Sequence, residues 1–116
     1  MFSYIKNLIR SFSYAFFGIF RAFLSERNFQ IMVFLVIVSS ILVYIFEFEF
    51  WKILILLMAG AVMLIVELVN SAIEKFLDLI SKYHNDNIKY IKDVMAGAAL
   101  LASLLWLMVF LLIIFY

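Results

Sequence analysis

Residues 51–80 read WKILILLMAGAVMLIVELVNSAIEKFLDLI, and this stretch decides the fold. Its first half is charge-free from Ile53 to Val66, a run that alone is short for a bilayer crossing. No Pro follows and the only Gly is Gly60, so the helical pattern continues through Glu67 to Ile80 as one long helix over 51–80. Its second half is polar on one side. Glu67, Asn70, Glu74 and Asp78 are spaced by three, four and four residues. That spacing sets all four within about 80° of one another on an α-helix, with Ser71 at the edge of the stripe.

Two further apolar runs flank this helix. No formal charge falls between Phe29 and Phe46, or between Val94 and Tyr116. A helix rises about 1.5 Å per residue, so a crossing of roughly 30 Å of hydrocarbon takes about 20 residues. Both runs qualify, the first narrowly. Composition agrees: 69% of the residues are hydrophobic and 15% charged, with a formal net charge of +1. An ordinary soluble domain is about 45–50% apolar and about 25% charged. The sequence therefore excludes a soluble globular domain and a disordered chain. It lacks the dense basic stripe of a nucleic-acid binder. With no cysteine, it has no disulfide framework, thiolate nucleophile or Cys-rich zinc site. No series of short alternating strands suggests a barrel.

The expected architecture is all-α and integral to the membrane, a single membrane domain over 1–116. Transmembrane helices are expected at about 29–46, 51–80 and 94–116. An N-terminal helix over 2–24 is aromatic-rich but broken by Lys6, Asn7, Arg10, Ser11, Ser13 and Arg21. It reads as an amphipathic surface helix, or as two short ones with Gly18 as the weak point. The linker at Glu47, Phe48 and Glu49 is a tight reversal, and 81–92 is a polar linker. Asp93, at the start of the third span, reads as its N-cap. Basic residues set the orientation. Lys6, Arg10, Arg21 and Arg27 precede the first span, and Lys75, Lys82, Lys89 and Lys92 surround the second linker; the first linker has only Lys52. The N-terminus and second linker are expected on the cytoplasmic side, the C-terminus outside.

Depth then bears on chemistry. Lys52 to Glu67 is about 22 Å of helix rise, and Lys52 to Glu74 about 33 Å. With Lys52 at the outer interface, Glu67 falls just inside the cytoplasmic edge of the hydrocarbon, and Glu74 and Asp78 fall at or beyond it. Ionisable groups at that depth are costly and point to function. A channel would place its carboxylates nearer mid-membrane. A reaction between a lipid and a soluble cosubstrate suits the observed level. Glu26 and Asp93 fall at the same level. Carboxylates with a nearby lysine suit a magnesium-bound phosphate group.

The run Glu67-Leu68-Val69-Asn70-Ser71-Ala72-Ile73-Glu74-Lys75-Phe76-Leu77-Asp78 resembles the signature of the prokaryotic diacylglycerol kinase family, which includes the undecaprenol kinases. Tyr83-His84, Lys92-Asp93, Tyr14-Ala15-Phe16, Gly18-Ile19 and Ser25-Glu26-Arg27-Asn28-Phe29 are similar as well, the last set favouring the undecaprenol kinase branch. The resemblance implies a homotrimer in a bacterial inner membrane, with active sites shared between neighbours. It implies an ATP- and magnesium-dependent transfer of the γ-phosphoryl group to the hydroxyl of a membrane lipid alcohol, undecaprenol or diacylglycerol. In its terms Glu67 is the general base and Asn70 orients groups near the reacting phosphate. Glu26 and Glu74 hold magnesium. Lys92 contacts ATP phosphates, and Asp93, Asp78, Tyr14 and Arg10 support the nucleotide. No Walker-type loop is present.

Plainer readings stand beside these. The acids of 67–78 could be the solvated end of an emerging helix, an account strongest for Asp78 and weakest for Glu67. Lys92 could be a cytoplasmic anchor, and His84, the only histidine, a solvated loop residue. Trp51 and Trp106 read as packing or interface anchors, and Ala96, Gly97, Ala98, Ala99, Ala102 and Ser103 as a surface for close helix packing. The competing functions are a small oligomeric transporter or channel using Glu67 as a coupling carboxylate, and a non-catalytic membrane assembly protein.

Overall fold

The computed structural model of the chain describes residues 1–81, 83 and 85–116. Lys82 and His84, used above for orientation and for the family match, lie outside the described residues. Four helices follow in order: α1 (Phe2–Ser25), α2 (Arg27–Ile45), α3 (Phe50–Ile80) and α4 (Asp86–Phe115). The last three are each long and apolar enough to cross a membrane.

Helix α1 is continuous through Gly18, so the two-helix alternative does not occur. Apart from half-buried Ala22 its residues are all exposed. It meets α2 at a junction of one residue. Glu26 is extended (φ −107°, ψ 109°), its N–H donating to the Ala22 carbonyl and its carbonyl accepting from the Gln30 N–H. One residue thus closes α1 and opens α2. Gln30 reinforces the bend, its side-chain amide donating to the Phe23 carbonyl at 2.7 Å. That satisfies one of the orphan acceptors at the end of α1.

The reversal between α2 and α3 is a Schellman turn. The Glu47 N–H donates to the Tyr44 carbonyl and the Phe48 N–H to the Val43 carbonyl, with Glu47 left-handed at φ 60°. Phe48 then packs against the cluster that includes Val43, the apolar contact this turn commonly carries. Glycine normally takes the left-handed position, because a Cβ crowds the following carbonyl. Glu47→Gly should therefore raise stability by about 0.5–1 kcal/mol, part of the relief being lost to a freer unfolded chain. Denaturation in detergent micelles measures it; a variant less stable than the parent would count against this account.

Helix α4 begins eight residues before the apolar run that marks the expected third span. The Asn85 side chain caps it, accepting from the N–H groups of Asn87 and Ile88. Asp93 lies inside the helix and is not its cap. Asn85 satisfies the orphan donors first, and residues 86–93 after it carry about two further turns of helix.

Helix α3 is the middle layer, packed on α4 along most of its length and on α2 over less. At Gly60 both neighbours close in. A Cβ there would lie 2.9 and 3.0 Å from the two Val36 methyls of α2 and 3.6 Å from Trp106 Cδ1 of α4. Around this crossing Val36, Val43, Leu56, Ala59, Met63, Ala102, Trp106 and Ile113 form the core. Trp106 stacks on Phe110 with ring centroids 5.8 Å apart. Ser39 and Ser40 both return their hydroxyls to the Val36 carbonyl, so these polar groups sit in an apolar helix without an unmet donor. The seam is thin. Phe34, Met58, Leu101 and many other large apolar side chains face outward, as lipid-facing side chains do.

Candidate active site

The buried face of α3 reads Leu56, Ala59, Gly60, Met63, Glu67, Asn70, Ser71 and Leu77. Its spacing stays helical while its chemistry changes after Met63. Glu67 is therefore buried by the same phase that buries Leu56. It keeps 4% of its surface exposed, Asn70 and Ser71 8% each. Packing, not solvation, accounts for the position of the first acid of the stripe. Two turns beyond Glu67, Glu74 is half-buried, and one turn further Asp78 is exposed.

Glu67 is set apart first by its burial, and Glu74 and Glu26 are the acids near enough to act on its charge. Among the described residues none of these three carboxylates has a basic side chain within ion-pair distance. The Asn70 Oδ1 is buried with no hydrogen-bond partner. Like charges sharing a partly dry site, with an unmet carbonyl acceptor beside them, form an arrangement a cation would stabilise. The geometry is looser than a closed metal cage: among the described residues no three acidic, His or Cys side chains converge as a ligand set. That suits magnesium, which usually takes one or two protein carboxylates and completes its shell with water and substrate phosphates. Glu26 and Glu74 fit such a role.

The other candidates divide into two pairs and two single residues. Lys92 Nζ donates to Asp78 Oδ1 at 2.8 Å, joining the first turns of α4 to the last turn of α3. Lys89 pairs with Asp93 at 2.7 Å, four residues along the same helix. Asp93 is thus held on its own helix, and among the described residues it makes no hydrogen bond or ion pair to the acidic face of α3. Asp78, Lys89 and Lys92 line a cavity of about 540 Å³ with Ser81, Tyr83, Asn85 and Ile88. Arg10 and Tyr14 stay exposed on α1, without a hydrogen bond or ion pair to the other candidates.

A second groove, of about 270 Å³, lies between the end of α1 and α3. It brings Arg21, Ser25 and Glu26 opposite Ser71 and Lys75. The sequence had not marked Lys75 or Gln30 as site-supporting residues. Lys75 sits inside the acidic signature, eight residues after Glu67, which is the signal that would have found it.

The fold and the site define a polytopic helical membrane protein whose polar chemistry is gathered at one end of its spans. A model of the family described as prokaryotic diacylglycerol kinase matches residues 13–114. A diacylglycerol kinase of Synechocystis sp. is 33% identical over 99 residues, covering 84% of this chain. An undecaprenol kinase of Bacillus subtilis is 35% identical over 114 residues, covering 92% of this chain. The chain spans 57% of the length of the first relative and 90% of the second. It belongs to the prokaryotic diacylglycerol kinase family. The family does not favour the transporter reading.

Proposed function

We propose that the chain is a lipid kinase of the cytoplasmic membrane, using ATP and magnesium. One observation carries the reading: Glu67 is buried on the packing face of α3, in the same stripe as an Asn70 carbonyl that is buried without a hydrogen-bond partner. The hydroxyl oxygen of a lipid alcohol forms a bond to the γ-phosphorus, and the bond from that phosphorus to the β–γ bridging oxygen breaks, releasing ADP. Glu67 takes the hydroxyl proton. Asn70 orients the reacting groups, and Glu26 with Glu74 holds magnesium, which supplies neutralisation of the phosphates. Lys92, with Asp78, Asp93, Arg10 and Tyr14, serves the nucleotide.

Several further features complete this reading. The N-terminus and the 81–92 segment face the cytoplasm, and α1 rests on the membrane surface by its apolar side. The functional unit is a trimer. Ala96 and Gly97 support it, being exposed small residues, with open space around Gly97. A shared site would also account for Arg10 and Tyr14, which meet none of the other candidates within one chain. Undecaprenol is the preferred acceptor, because the Ser25–Phe29 stretch and the nearly full-length match to an undecaprenol kinase both favour it.

The test is a transfer assay with purified protein in mixed micelles, labelled ATP, magnesium, and either undecaprenol or diacylglycerol. Labelled product on one lipid, lost when magnesium is chelated, is the expected result. No product on either lipid from folded protein would overturn the reading. Glu26→Gln and Glu74→Gln should each raise the magnesium concentration for half-maximal rate by about tenfold or more, since each removes one anionic ligand. An unchanged magnesium titration in both would remove them from the metal site.

A further inference from the structure

Two grooves flank the acidic face of α3, and each is lined by two cations and one acid: Lys89 and Lys92 with Asp78 on the α4 side, Arg21 and Lys75 with Glu26 on the α1 side. They differ in how those charges are engaged. On the α4 side Lys92 is paired with Asp78, and Lys89 with Asp93. On the α1 side, among the described residues, neither Arg21 nor Lys75 has a carboxylate within ion-pair distance. Arg21 rests only over the Phe17 ring, 5.7 Å from its centroid. Apart from Leu68, the walls between these cations are small: Gly18, Ala22, Ser25, Ser71 and Ala72. Ser71 is more than nine-tenths buried, lines the groove, and its hydroxyl makes no hydrogen bond. Two cations without carboxylate partners and a hydroxyl without a protein partner line one small hollow, where an anion would meet all three.

We propose that Arg21, Lys75 and Ser71 hold the phosphate monoester of the phosphorylated lipid, the product side of the reaction. This rests on the kinase reading above. Lys92 and Asp78 give the nucleotide its contacts on the α4 side, and Glu26, which lines the α1-side groove, would bring the magnesium beside it; Arg21 and Lys75, at the same head-group level and without carboxylate partners, are then available to the phosphate that the lipid acquires. The acceptor alcohol is uncharged there before transfer and carries a dianionic phosphate after it. The two cations therefore act on the product far more strongly than on the substrate, and they make the enzyme sensitive to product. The same dianionic phosphoryl chemistry exists in ATP, so the experiment must separate the two sources.

The probe is dihexanoyl phosphatidic acid, titrated into the purified protein in zwitterionic micelles by calorimetry, without turnover. Dihexanoyl phosphatidylcholine is the control lipid, and a non-hydrolysable ATP analogue with magnesium is the nucleotide arm. Saturable binding of the phosphatidic acid, weakened about tenfold or more in the Arg21→Gln/Lys75→Gln variant and restored by Lys75→Arg in place of Lys75→Gln, is expected. The nucleotide analogue should bind the double variant within about twofold of the parent, since Lys92 and the magnesium, not Arg21 and Lys75, engage its phosphates. Equal binding of phosphatidic acid by parent and variant overturns the proposal. A loss confined to the nucleotide arm overturns it too, reassigning the cations to ATP. Should the double variant lose helical content, Lys75→Gln alone, at an exposed position, decides by the same criteria. Phosphatidic acid binding by a chain that phosphorylates neither lipid would uphold the anion site and sink the kinase reading. Turnover with unaltered binding in the variant would do the reverse.

Discussion

Glu67→Gln should reduce phosphoryl transfer by about 10²–10⁴-fold while binding of magnesium and ATP is retained. Gln keeps the volume and planar shape of Glu, which matters at a position only 4% exposed. It removes the carboxylate that accepts the proton. The substitution also removes one of the three acids that repel one another here, so the variant should melt no lower than the parent. The measurement is a single-turnover assay beside a nucleotide titration and a melt in micelles. Normal turnover would end the base assignment. Lost turnover with lost helicity would show a structural role for Glu67 instead.

Gly60→Leu is the second large effect, and it falls on the fold rather than on the chemistry. The first added carbon would already lie 2.9 Å from a Val36 methyl, inside ordinary contact distance. Val is stiff about χ1, and its two methyls both face the site, so rotation brings no relief. Trp106 closes the other side. Overpacking of this kind costs about 1–3 kcal/mol or more, against about 1 kcal/mol regained from replacing helical Gly. The expected outcome is a sharp fall in melting temperature or loss of folded protein. Adding Val36→Ala to the milder Gly60→Ala should recover part of that variant's deficit. Strict additivity of the two changes would refute the close-approach explanation.

Much of this was legible in the sequence because lipid imposes few solutions. Three charge-free stretches with helical periodicity located α2, α3 and α4. The three-four-four spacing put Glu67, Asn70, Glu74 and Asp78 on one side of α3. Extending the phase of Leu56, Ala59 and Met63 forward would also have shown that Glu67 lies on the packing face. Other features were hidden for physical reasons. The start of α4 was set by a local side-chain cap at Asn85, a polar signal that searching for apolar runs passes over. Asp93 resembled a cap because it sits where the charge-free run begins, but Lys89 one turn earlier was already a partner within the helix. Gly18 looked like a break, yet an exposed helix tolerates a single glycine at a cost of about 1 kcal/mol. The pairing of Lys92 with Asp78 depends on the angle at which two helices approach, and linear spacing does not encode that angle.

The one-residue junction at Glu26 has a mechanical consequence. A side chain on a long flexible loop can be re-aimed by its own backbone; one set between two rigid rods moves only when the rods change their angle. Helix α1 has 24 residues and is about 36 Å long, so its N-terminal end is the far tip of a lever and Glu26 its fulcrum. A vertical drift of about 3 Å at that tip is a tilt of about 5° at the joint over such an arm. With α1 resting on the bilayer as proposed, the height of the lipid surface and the aim of this carboxylate become a single degree of freedom. Swelling or thinning of the membrane would then register at the joint as a turn of the acid.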